Sequence, residues 1–169
     1  MNTSRSSSQV DLPLIKRIAN NLLGRCAIPF DVLPLDRELY DVCKKVLSSD
    51  FLLPSSVYPW FDKYLVVGVI VASTAYSHLP YRTQVFVVNY SACVTALDDV
   101  FQTDPEHMGG FSERFIRGLP QGDPIQEVLA KLMLEISKHY GRTQSSLILG
   151  STLDFVTSLS IDLEIPRMT

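Results

Sequence analysis

The stretch that most constrains this chain is Val85-Phe86-Val87-Val88-Asn89-Tyr90-Ser91-Ala92-Cys93-Val94-Thr95, which runs on through Ala96-Leu97 into two adjacent carboxylates, Asp98 and Asp99. A helix carrying that run is buried on most of its surface, because apolar residues point in nearly every direction around its axis. Two acids at its C-terminal end are then unfavourable on three counts. Unit charges about 4 Å apart repel by about 4 kcal/mol at an effective dielectric of about 20. The unpaired carbonyls of a helix end disfavour further negative charge. An end that faces a cavity also costs the acids their hydration. A divalent cation reverses all three penalties, and hard carboxylate oxygens suit Mg²⁺. The same pair also suits the solvated end of a core helix, and the local sequence leaves both readings open.

Composition narrows the setting. At 169 residues, with 46% apolar and 20% charged residues, the chain has the length of one domain and enough apolar side chains for a sizeable core. A net charge of −3, a pI near 5.5 and the lack of any Lys/Arg run argue against a nucleic-acid partner. Cys26, Cys43 and Cys93 are widely spaced and form no Cys-x-x-Cys or zinc-type pattern, so reduced thiols and a cytoplasmic location are expected. The polar start, Met1 to Ser8, lacks the apolar core of a signal peptide. Residues 1–10 are expected to be a disordered tail and 11–169 one α-helical domain. Tyr64 to Tyr76, the most apolar stretch, falls short of the roughly 18 residues of a membrane span and reads as a buried helix.

In chain order, Leu12 to Leu23 has helical spacing and ends at Gly24, which suits a C-cap. Asp36 is placed to cap a helix running to about Leu47. Ser48 to Pro59 reads as a connection. Two long helices follow, from about Trp60 to Leu79 and from Pro80 to about Phe101; the Val-rich runs inside them also suit buried strands, but their length and the absence of turn residues between Pro80 and Asp104 favour helix. Ser112 to Arg117 is a short helix stopped by Gly118. Asp123 and Pro124 start a helix predicted over Ile125 to Tyr140. A last helix is predicted from about Thr143 to Glu164. The sum is an all-α bundle of six to eight helices with no Gly-rich phosphate loop.

A buried helix ending in Leu-Asp-Asp within an all-α chain resembles the class I terpene synthases, and more closely the fungal trichodiene synthase-like family. Val71 to Tyr76, Tyr90 to Phe101, Pro120 to Pro124 and Ser151 to Phe155 carry the resemblance, which runs from about Leu14 onward. It implies the class I terpenoid synthase helical bundle and a Mg²⁺-dependent cyclase acting on a linear prenyl diphosphate, farnesyl diphosphate first among them. The family site holds three Mg²⁺ ions. Asp98 matches the first acid of the family's metal motif; Asp99 is the second candidate ligand, or a salt-bridge partner behind the metal. No further catalytic side chain is singled out. Magnesium bridging a carboxylate and the diphosphate neutralises the leaving group, and the carbocation formed needs a dry pocket. Counting turns back from Asp98 places Val94, Ser91, Tyr90 and Val87 on or near its face as pocket walls, with Phe155 of the last helix. Core packing is the plainer role for each aromatic.

Two departures stand out. The family's third acid falls at Gln102, and Asp104 lies about 120° further round than a ligand on Asp98's face, so it reaches the site only from a loop beyond the helix. The family's second metal pattern, Asn/Asp-x-x-Ser-x-x-x-Glu, has no match, nor does its diphosphate-sensing arginine. The chain is therefore expected to be the first half of such an enzyme, with little or no cyclase activity by itself. The alternative is a non-catalytic terpene synthase-like remnant that packs against another protomer, for instance as a homodimer. A chain-elongating prenyltransferase would show a second Asp-Asp-x-x-Asp, and none is present. His78, His107 and His139 have no ligand-spaced partners, and Glu135 is expected to face solvent or to pair with Arg114 or Lys131.

Overall fold

The computed structural model describes residues 12–26, 34–103 and 110–164. The described residues contain α-helices and a short 3₁₀ turn and no strand, so the Val-rich runs are helical. The chain divides into two units, residues 1–34 and 35–169. The first contributes α1 (Leu12–Arg25), with Leu14, Ile15, Ile18 and Leu22 along one stripe. Gly24 is not its cap. The helix passes through it to Arg25, and the Cys26 amide continues the pattern by donating to the Leu22 carbonyl at 3.0 Å. A single Gly costs a helix only about 1 kcal/mol, and the basic Arg25 suits its C-terminal end.

The second unit is built on an antiparallel hairpin of α3 (Tyr58–Ala75) and α4 (Tyr81–Thr103), flanked by α2 (Arg37–Ser49) and α6 (Pro124–Glu135). Between these come α5 (Phe111–Ile116) and, last, α7 (Arg142–Glu164). Asp36 caps α2 as its sequence predicts, accepting the Leu39 amide at 2.9 Å. Asp123 caps α6 by accepting the amides of Ile125 and Gln126 at 2.9 and 3.0 Å. Pro80 sets the hairpin corner. It disfavours helical backbone in Leu79; α3 stops earlier still, at Ala75 rather than Leu79, with the Leu79 amide turned onto the Tyr76 carbonyl at 3.0 Å. The helix expected to reach Tyr140 also ends early: α6 stops at Glu135, and Ile136–Lys138 tightens into 3₁₀ geometry before Gly141.

The core explains why α4 needs so apolar a sequence. Phe86, Val87, Val88 and Asn89 are all buried, which takes in nearly a full turn. Further along, Ala92, Cys93, Ala96 and Leu97 form a narrower buried stripe. The helices cross so closely at Gly68 that a Cβ there would run into the Val88 carbonyl, with Val88 C and Cα only 3.1 and 3.3 Å away. Burial suppresses thiol chemistry in this core: it pushes Cys43 up to about 12, with Asp36 adding to the effect, and drives Cys93 higher still. Among the described residues no helix is long and apolar enough to cross a membrane.

Candidate functional site

The acid pair sits in the last turns of α4, which runs two residues beyond the predicted end and stops at Thr103. Successive residues of a helix point about 100° apart, so the two carboxylates face different neighbours. Asp99 turns to α3. It accepts a hydrogen bond from the Tyr64 hydroxyl at 2.8 Å and pairs with the Lys63 ammonium at 3.5 Å. Burial is the main reason the Tyr64 pKa is raised; Lys63 opposes the shift and Asp99 adds to it, so the hydroxyl keeps its proton. Much of the expected repulsion within the pair is thus relieved by the protein itself. Asp98 is half-buried, and among the described residues its carboxylate has no hydrogen-bond or ion-pair partner.

Asp98 lies away from the buried stripe, one turn beyond Val94 and about 40° from it. Val94 lines an open groove of about 300 Å³ between α4 and α7, together with Tyr90, Leu147, Ile148, Ser151, Thr152 and Phe155. The structure therefore brings together three of the five predicted pocket walls: Tyr90, Val94 and Phe155. Val87 is buried in the core and Ser91 is partly buried on the same side of α4; neither lines the groove. The Tyr90 hydroxyl is tied to the Thr152 hydroxyl across the groove, and Thr152 is itself anchored to the Ile148 carbonyl at 2.7 Å. With its hydroxyl engaged, Tyr90 has its ring left to offer a ligand. That ring stacks on Phe86 at 5.8 Å between centroids.

Asp104 and His107 lie outside the described residues, and among those described no three acids, histidines or cysteines gather as a metal cluster. His139 stacks on Phe86 at 4.5 Å, and Glu135 pairs with Lys138 at 2.7 Å rather than with Arg114 or Lys131. A larger cavity, about 470 Å³, is lined by Arg82, Phe86, Asn89 and residues of α2 and α6. Its α4 lining runs from Arg82 to Asn89, roughly 24 to 14 Å along the helix from Asp98, and neither acid lines it. Tyr64, Lys63 and Thr152 are the site's supporting residues that the sequence reading missed. Their partners are far away in the chain, and no local spacing announces them.

The fold is all-α, and its central helix carries, one turn beyond the groove-lining Val94, a carboxylate with no partner among the described residues. The curated proteins that the chain matches are fungal terpene synthases. It is 30% identical to the alpha-cuprenene synthase COP6 of Coprinopsis cinerea over 156 residues, 89% of this chain and 47% of that protein. It is 27% identical to the terpene synthase BipA of Cochliobolus sativus over 101 residues, 60% of this chain and 31% of that one. The chain thus spans about half or less of the length of these relatives. They carry the likeness to terpene synthases at large; nothing in them singles out the trichodiene type. No family model matches the chain, and no solved structure does.

Proposed function

We propose that this chain carries the acidic metal motif and part of the hydrocarbon pocket of a class I terpene synthase. Its substrate class is a prenyl diphosphate, with farnesyl diphosphate the first choice. The observation that carries the reading is the division of labour within the acid pair: Asp99 is spoken for by α3, while Asp98, with no partner among the described residues, follows one turn after Val94, which lines an apolar groove. The donor set fits Mg²⁺, which takes hard oxygens and leaves most of its positions to phosphate and water. Asp98 would hold it; Asp99, the second candidate, is engaged by α3, and Asp104 is the third. Bound there, the metal would supply charge neutralisation for the departing diphosphate.

The remaining roles belong to the chain's own side chains. Val94, Leu147, Ile148 and Phe155 offer an apolar wall for one side of a prenyl chain. The ring faces of Tyr90 and Phe155 stabilise a passing cation by roughly 0.5 to 2 kcal/mol each. Thr152 holds the Tyr90 hydroxyl and thereby fixes the tilt of its ring.

Titration calorimetry with MgCl₂ and inorganic pyrophosphate tests the reading without requiring turnover. The expected result is saturable binding when both are present. Heats no larger than those of dilution would overturn it.

A further inference from the structure

Helix α3 carries two clusters of the same chemistry. In the first, Asp62 accepts the Tyr40 hydroxyl and pairs with Lys44 at 3.4 Å, which ties α3 to α2. In the second, Tyr64 and Lys63 grip Asp99 and tie α3 to α4, with the Lys63 ammonium 4.4 Å from the centre of the Tyr64 ring. Each is a tyrosine, an aspartate and a lysine joining neighbouring helices. They differ in where they end: only the second ends on the residue next to Asp98.

We propose that Tyr64 is a positioning residue for the metal site, acting on Asp98 through its hydrogen bond to Asp99. The proposal rests on the reading of Asp98 as a Mg²⁺ ligand. Its physical basis is local. Asp99 drawn onto α3 fixes the rotation of the last turns of α4, and with it the side from which Asp98 projects. Asp99 leaves the helix about 100° round from Asp98, and the bond holds its carboxylate against α3, where it neither repels Asp98 at close range nor draws the cation away from the groove. The Tyr64 ring is only 5% exposed and packs edge-on against Trp60 at 6.0 Å. Removing the hydroxyl alone therefore leaves the packing in place.

The two clusters supply their own control. Mg²⁺ affinity is measured by calorimetry in the presence of inorganic pyrophosphate, alongside thermal unfolding, for the parent chain, Tyr64→Phe and Tyr40→Phe. Tyr64→Phe is expected to weaken Mg²⁺ binding about tenfold, the lower end for a group that orients a metal ligand, and Tyr40→Phe to leave it unchanged. In an Asp99→Ala background Tyr64→Phe should add nothing, since residues that act in series are not additive. Lys63→Met loosens the same tie from an exposed position and should shift affinity in the same direction. Equal affinities for the parent and Tyr64→Phe would overturn the proposal, as would a matching loss in Tyr40→Phe. A parent chain that binds no Mg²⁺ with pyrophosphate removes the metal reading itself, whereas a binding parent with an unmoved Tyr64→Phe removes this proposal alone.

Discussion

Gly68→Ala is expected to lower the unfolding midpoint by roughly 10 °C. That figure is about 3 kcal/mol of overpacking, spread over the unfolding entropy of a domain this size. The added methyl meets the Val88 carbonyl, with Val88 C and Cα close behind at 3.1 and 3.3 Å. These are backbone atoms of a buried helix and no rotamer change moves them aside, so α3 and α4 must separate. Gly150→Ala in α7 is the matched comparison, because nothing lies within 4 Å of a methyl placed there. It should raise stability slightly, by about 1 kcal/mol, as Ala replaces Gly within a helix. Circular dichroism melts of both variants in one buffer check the pair. A Gly68→Ala midpoint equal to the parent's would mean that the helices do not cross this closely.

Asp98→Asn is expected to reduce Mg²⁺ affinity in the presence of pyrophosphate roughly 100-fold while leaving the melt unchanged. One hundredfold is the upper end of what loss of a group behind a metal ligand costs, and a ligand itself should cost no less. The neutral amide keeps the size of the side chain but removes the charge that offsets the cation. Stability should hold, since among the described residues Asp98 has no partner to lose. Asp99→Asn is expected to do the reverse. It gives up the Lys63 pair and part of the tie to Tyr64, and shifts affinity less than the Asp98 change does.

Much of the fold is legible because it is written in local signals. Asp36 and Asp123 with Pro124 mark helix starts that the structure reproduces bond for bond. The apolar run from Val85 to Thr95 announces a core helix, which is buried nearly all round from Phe86 to Asn89 and along a narrower stripe beyond. Where the reading slipped, a weak local signal met a stronger neighbour. Gly24 suits a cap but is also tolerated inside a helix, and α1 runs through it. Pro80 keeps Leu79 out of helical backbone, and α3 stops well before it, at Ala75.

The candidate site divides the same way. Helical arithmetic from Asp98 finds Val94 and Tyr90, which do line the groove, but it places Val87 and Ser91 on that face too. Which of these lines a groove depends on where α7 lies, and no spacing within α4 records that. The role of Asp99 depends on Tyr64 and Lys63, thirty-five and thirty-six residues earlier in the chain. That pairing exists only because α3 and α4 lie antiparallel. A sequence shows that a helix will have a neighbour; it does not show which side chains will meet.

The most direct measurement is amide NMR of the chain with Mn²⁺ in place of Mg²⁺ and pyrophosphate present, because a paramagnetic ion broadens the resonances nearest to it. α4 has 23 residues, about 34 Å of helix, so its two ends are easily told apart. Broadening strongest at residues 94–103 and fading steadily toward Tyr81 is the expected result. Broadening confined to the Arg82 end, or spread evenly over the surface, would contradict a metal site at Asp98.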